Sequence, residues 1–262
     1  MVFEFLPHLI YAPILATLVW VVVIGFISWS LVFKTTLFKS FLTTRIDSVL
    51  AGMLNVMFVF FMAFTASDVF QGYNAARNAL IEESVAIDKL LSIQNGTPEF
   101  KSQSNQQIKK YLQNTIDIEW QRDFNKIRNT EADAALSTLL TALGAEKRRC
   151  SLFKPPDCLD ATTAGSYLKS IDDLKKAREQ RLSIGGQGTQ VVRYLLCMFL
   201  AMNALTGLLL LFIATPRAAL PPLIMYCFSL WIILMMVVMH SNPYAGVKAI
   251  EPAPLGRILQ NL

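Results

Sequence analysis

The sequence predicts an all-α integral membrane protein, with four transmembrane helices and a helical soluble section between spans two and three. Three observations carry this prediction. The chain of 262 residues is 53% hydrophobic and only 16% charged, and its mean hydropathy of +0.42 is high for a soluble protein. The apolar excess falls into four runs without charge, each near the ~20 residues that a bilayer core requires. Between the second and third runs charge returns, and apolar residues recur at helical spacing.

The first run is Leu9 to Phe33, uncharged between Glu4 and Lys34 and carrying Trp20 and Trp29. A cleaved signal peptide needs a basic start and an apolar stretch of roughly 7–15 residues. Glu4 and the greater length of this run favour a retained span. The second run, Val49 to Ala66, is bounded by Asp47 and Asp68. The third is Tyr194 to Thr215 and the fourth Leu220 to Met239, joined by the short hinge Pro216-Arg217. The resulting division places spans one and two in residues 1–66, the soluble section in 67–190, spans three and four in 191–240 and a tail in 241–262.

The second run has no break at its end. Val69, Tyr73, Ala76, Leu80, Ser84, Ile87 and Leu91 keep the three-and-four spacing of a packed helix face, so span two is expected to run on into water until Asn95-Gly96 and Pro98 stop it. A second soluble helix is expected over Ser104 to Arg128, burying Ile108, Leu112, Ile116, Trp120, Phe124 and Ile127. A third should start at Thr130 as its cap, with Asp133 completing an approximate capping box, and stop at Gly144. Glu146 to Gly165 then reads as loop. A fourth helix over Ser166 to Leu182 places Tyr167, Leu168, Ile171, Leu174 and Arg178 on one face, and Gly185, Gly186 and Gly188 form a joint before span three. No segment alternates with period two, so no sheet is expected.

Charge and motif content exclude several functions. Net charge is +5, yet basic and acidic residues interleave through the soluble section, without the basic stripe that a nucleic-acid partner requires. The chain has no HExxH, GxSxG, Walker loop or CxxC. Neither an enzyme nor a cofactor or metal site is expected. Glu82-Glu83 and Asp172-Asp173 are sequence neighbours that point to different helix faces, which suits solvation. Of four cysteines, Cys197 and Cys227 lie in spans and read as small hydrophobes. Cys150 and Cys158 are spaced to bridge if their loop faces an oxidising compartment, and otherwise are two loop thiols.

Membrane orientation rests on flanking Lys and Arg. Lys34, Lys39, Arg45 and Arg217 belong to the hairpin side, while Arg77, Lys175, Lys176, Arg178, Arg181, Arg193, Lys248 and Arg257 lie on the other. That count favours a cytoplasmic soluble section. The flanks of the first span, acidic before and basic after, argue the reverse, as would a Cys150–Cys158 bridge.

Inside the spans the polar residues are Asn55 and Asn203, read as interhelical hydrogen-bond partners. No span carries an internal Asp, Glu, Lys or Arg, which argues against a proton-coupled transporter or voltage sensor. Val56, Phe60 and Phe64 follow one another at four-residue spacing on span two. Taken alone, such a stripe reads first as lipid-facing or packed; around an oligomer axis it would form hydrophobic rings that gate by dewetting.

The stretch Phe64 to Leu80, FTASDVFQGYNAARNAL, resembles the bestrophin segment in which an apolar neck precedes an aromatic cluster and a terminal arginine. On that register Val56, Phe60 and Phe64 fall at the neck, Tyr73 in the cluster and Arg77 on the arginine. The tail from His240 to Leu259, with Asn242 and Pro243 in an NPF-like element, is similar to the end of uncharacterised bacterial bestrophin-like membrane proteins. The resemblance implies a homopentamer with a central ion pathway lined by span two; the reading built on it is an ion channel of a bacterial inner membrane, in which Asp68 near the inner mouth would form a ring of negative charge favouring cations. Thr65 and Ala75 depart from the pattern, replacing an arginine and an acidic residue. The acidic calcium clasp of animal bestrophins is missing, since Glu251 is the one carboxylate after the last span. The other reading is a non-conducting scaffold or accessory subunit that binds a membrane complex through its soluble helices.

Overall fold

A computed structural model describes residues 6–34, 48–93, 97–122, 124–153, 158–186, 191–245 and 248–262. Its helices are α1 (Leu6–Lys34), α2 (Ser48–Ser92), α3 (Pro98–Asn114), a π-helical stretch (Thr115–Arg122), α4 (Thr130–Phe153), α5 (Ala161–Gly186), α6 (Val191–Leu210), a 3-10 turn (Pro216–Ala219), α7 (Leu220–His240) and α8 (Ala253–Gln260). Among the described residues there is no strand.

The chain forms two compact units. One comprises residues up to Gln71 together with 189–242 and 246–248; the other comprises 72–188, 243–245 and 249–262. The long helix α2 contributes to both, its residues up to Gln71 to the first and those from Gly72 to the second.

Ile14–Lys34, Ala51–Ser92 and Pro216–His240 are long and apolar enough to cross a membrane, and Tyr194–Leu210 is a shorter apolar helix. These helices bury only one face each. Val21, Phe58, Met62, Cys197, Ala201, Leu230 and Leu234 meet in one cluster, and Ile24, Val32, Leu205 and Leu209 in another. Small residues permit the approach of α6 to α2: a Cβ at Gly207 would stand 3.0 Å from Leu54 Cδ1 and 3.6 Å from Ala51 Cα, the close contact that membrane helices use in place of a hydrophobic drive. The third apolar run ends earlier than its composition suggests. After Leu210 the chain passes into tighter turns, with the Leu211 N–H donating to the Leu208 carbonyl at 3.3 Å and the Phe212 N–H to the Leu209 carbonyl at 3.0 Å, and Thr215 leads into Pro216–Ala219.

The second unit packs α3, α4, α5, α8 and the later turns of α2 around Leu80, Ile87, Leu90, Ile108, Leu112, Leu136, Leu139, Ile171 and Leu174. Several expectations require correction. The next helix, α3, starts at Pro98 and not at Ser104, with Pro98 at the first helical position behind Thr97, whose hydroxyl accepts from the Phe100 N–H at 3.4 Å. The helix expected to Arg128 passes into the π-helical stretch, leaving Phe124 and Ile127 exposed. Phe124 and Asn125 have φ of 49° and 57°, outside the helical region. Thr130 is not the cap of α4; Asn129 Oδ1 accepts from the Glu131 N–H at 2.7 Å, and Asp133 pairs instead with arginines. Gly144 does not stop α4, which continues to Phe153, so much of the expected loop is helix. The α5 helix begins early, at Ala161, where Asp160 Oδ1 accepts from the Thr163 N–H at 3.2 Å. It also includes Gly185 and Gly186, whereas Gly188 and Asn95-Gly96 lie outside the described residues.

Candidate functional site

Helix α2 shows two faces through its apolar part. Ala51, Phe58, Met62 and Thr65 are buried within the subunit. Val56, Phe60 and Phe64 are 53%, 60% and 69% exposed and occupy the opposite side, flanked by Met53 and Met57. Their four-residue spacing spreads them over about 12 Å of axis at 1.5 Å per residue. Asp68, one turn beyond Phe64, is also exposed. Past it, Gln71 Nε2 donates to Ser67 Oγ at 3.1 Å.

Two polar side chains of this helix turn inward on their own backbone. Asn55 Nδ2 donates to the Ala51 carbonyl at 3.0 Å, one turn back on its own helix. Thr65, where the family pattern places arginine, is buried and donates to the Phe61 carbonyl at 2.9 Å. Both bonds are one helical turn long and leave no charge on the packed face.

In the second unit, Tyr73 is half-buried against the core and Arg77 is exposed. Pro243 is buried, and its carbonyl accepts from the Ile250 N–H at 2.8 Å. That turn holds the Ile250 carbonyl to accept from Trp120 Nε1 at 2.9 Å. Asn242, the other residue of the tail motif, is half-buried.

A buried charge network lies nearby in the same unit, and motif reading missed it. Arg181, Glu83 and Glu119 have wholly buried side chains. Arg181 Nε donates to Glu83 Oε2 at 2.7 Å and its Nη2 to Glu119 Oε2 at 2.8 Å. Arg178 Nη2 donates to Glu119 Oε1 and Nη1 to Asp133 Oδ1, each at 2.5 Å. Tyr111 Oη donates to Glu83 Oε1 at 2.5 Å, and Arg181 also donates to Asn125 Oδ1. The Arg181 guanidinium lies 5.1 Å from the Trp120 ring centroid. Burial and then the Glu83 charge hold the Tyr111 phenol well above its ordinary range, keeping it a donor. Burial pushes Glu119 up, but the Arg178 hydrogen bonds and the charges of both arginines outweigh it and lower its pKa.

Glu83 thus overturns the solvated reading of the Glu82-Glu83 pair. The signal was available: Glu83 shares a helix face with Ala76, Leu80, Ile87 and Leu90, all buried. The backbone also fits the network closely. A Cβ on Gly185 would collide with the Asn125 carbonyl, so α5 can approach that loop only with glycine there.

Cys150, in the last turn of α4, is joined to Cys158 by a disulfide, with Cα atoms 5.5 Å apart. Leu152 and Phe153 beside it are 75% and 77% exposed. Among the described residues no group of His, Cys, Asp and Glu is arranged to hold a metal ion.

Apolar helices that expose broad faces, joined to a helical polar unit, define the class as an all-helical membrane protein. A family model described as Bestrophin-like domain matches residues 15–255, and the chain belongs to that family. It is similar in fold to crystal structures of a bacterial bestrophin homolog from Klebsiella pneumoniae carrying single substitutions. One has 12% identity and a TM-score of 0.69, covering 94% of this chain and 97% of that chain. Another has 14% identity and a TM-score of 0.65, covering 95% and 97%. A structure titled only as a membrane protein gives 12% identity and a TM-score of 0.68, covering 95% and 96%. No curated protein matches the chain.

Proposed function

We propose that this protein is the subunit of a bestrophin-like oligomeric ion channel in a bacterial inner membrane, a pentamer by family resemblance, in which four helices cross the bilayer. Val56, Phe60 and Phe64 of α2 form its hydrophobic neck, and Asp68 forms a ring at one mouth that favours cations. The observation that carries the reading is the division of α2 into a face packed within its own subunit and an exposed apolar face ending at a carboxylate. An oligomer that gathers the exposed faces around one axis has a narrow dry constriction without any charge inside the span. Recording from purified protein in planar bilayers tests this: the wild type conducts weakly, and Phe60→Ala with Phe64→Ala conducts more because the constriction wets. Absence of conductance in both sinks the channel.

A non-conducting scaffold is the second reading, favoured by the high exposure of Leu152 and Phe153, which suits a partner complex. Mass measurement in mild detergent separates the two. A ring of about five copies supports the channel, whereas a monomer or hetero-complex supports the scaffold.

A further inference from the structure

The second unit carries an oxidised cysteine pair that has no part in the proposed conduction path. Cys150, in the last turn of α4, is bonded to Cys158, eight positions on, while Cys197 and Cys227 are free. The bridge is not what holds α4 to α5, since Leu136, Leu139, Tyr167, Ile171 and Leu174 already meet in one buried core. A loop this short also removes less entropy from the unfolded chain than a long one. What the bridge does hold is the end of α4. Leu159, beside Cys158, is buried in the core, whereas Ser151, Leu152 and Phe153 beyond Cys150 are exposed and add little packing of their own.

The surroundings suit the pair to exchange. Cys150 and Cys158 are each half-buried and not enclosed, so an outside thiolate can reach their sulfurs; Cys197, packed among apolar residues of the first unit, is shut away from one. Lys147 and Arg148, both exposed, stand just before Cys150, and nearby cations favour the thiolates through which exchange passes. The reduced state also has an acceptor waiting. Cys150 Sγ lies 3.9 Å from Glu146 Oε1, where a thiol can donate weakly and a bridged sulfur has no proton to give. Glu146 is buried and accepts from the Thr97 N–H and hydroxyl, each at 3.1 Å. A change at Cys150 therefore abuts the contact that fixes α4 against the start of α3.

We propose that Cys150 and Cys158 form a reversible thiol switch, opened by a dithiol protein of the thioredoxin class and closed by a disulfide oxidant, which sets whether the last turn of α4 is held or frayed. In opening, a thiolate of the reductant attacks one sulfur of the bridge, forming a mixed disulfide and releasing the other cysteine. The reductant's second thiolate then displaces the first, so two electrons and two protons pass to the pair and the reductant leaves as a disulfide. Closing is the reverse, with oxidised glutathione taking up the two electrons and two protons. The flanking charges favour a cytoplasmic place for this unit, and bridges that form there are transient, catalytic or redox-sensing. The switch uses that placement and is independent of conduction.

The full-length protein in mild detergent supplies the first test. It is incubated undenatured with a thioredoxin-class protein kept reduced, quenched in acid, denatured, and its thiols counted by the mass that a maleimide adds. The count should rise from two to four, and oxidised glutathione should return it to two. A protease that cuts after large apolar residues reads the consequence. Cleavage after Leu152 or Phe153 should be about tenfold faster in the reduced protein, since a frayed turn opens more often than a braced one. Cys150→Ser with Cys158→Ser should be cut at the fast rate in either condition. In acid-quenched cells the pair should be found as thiols during unstressed growth and bridged after a pulse of diamide. A bridge that opens only after denaturation, equal cleavage of the two forms, or a pair that stays bridged in unstressed cells overturns the proposal.

Discussion

Arg181 is the residue on which the second unit's polar interior depends. Its guanidinium neutralises Glu83 and reaches Glu119 with no solvent access. Removing one member of such a pair leaves a desolvated charge, at a cost of about 3–5 kcal/mol. Arg181→Ala should therefore lower stability by that order, as measured by denaturation of the detergent-solubilised protein. Arg181→Met combined with Glu83→Gln should cost less, because it removes both members of one buried pair. Acid acts on the same network. The pKa of Glu119 is lower folded than unfolded, so its contribution is fully present above the ordinary carboxylate pKa and is lost as pH falls through the depressed folded value. Stability of the wild type should decline along that limb, and Glu119→Gln should flatten the decline while lowering stability near neutrality. Of these groups, Arg178 was legible in the sequence through its face on α5, beside Leu174 and Ile171. Glu83 is masked in the sequence by its neighbour Glu82, although its helical phase sets it with the buried Leu80, Ile87 and Leu90. The partnership itself could not be read, since 98 positions separate Glu83 from Arg181.

At the scale of elements, helix existence was more legible than helix ends. The continuation of α2 past Ala66 followed from unbroken apolar spacing, and α2 does run to Ser92. Ends failed where a local breaker was overruled by packing. Gly144 invites a stop by its propensity, yet Ala142, Leu143 and Glu146 on either side of it are buried, and Glu146 accepts from the Thr97 N–H at 3.1 Å. Those contacts carry α4 through the glycine. Nothing lies within 4 Å of where a Cβ at Gly144 would stand, so Gly144→Ala removes backbone entropy from the unfolded chain without a clash. It should raise stability by about 0.5–1 kcal/mol, measured by thermal or denaturant unfolding. The π-helical stretch had no sequence signal. It ends where the Asn125 N–H reaches the Glu119 carbonyl at 2.6 Å and the Asn125 backbone takes a positive φ, contacts that no local sequence pattern announces.

For the whole molecule, the channel reading makes the charge at the end of the α2 stripe its most separable part. Asp68 is exposed, and Asp68→Asn removes its charge while keeping the shape of the side chain. In a ring of subunits the same carboxylate is repeated around the axis, and each copy adds to one field at the mouth. Asp68→Asn should then lower the cation-to-anion permeability ratio measured from reversal potentials in a salt gradient, and Asp68→Lys should lower it further. Dilute salt should show the larger effect, because the screening length falls from about 30 Å at 0.01 M to about 3 Å at 1 M. Phe60→Ala should change conductance while leaving the ratio nearly unmoved, since an apolar ring blocks by excluding water and carries no sign. If Asp68→Asn and Phe60→Ala altered neither quantity in a protein that conducts, the ion pathway would have to lie elsewhere, and the exposed stripe of α2 would be a lipid-facing surface.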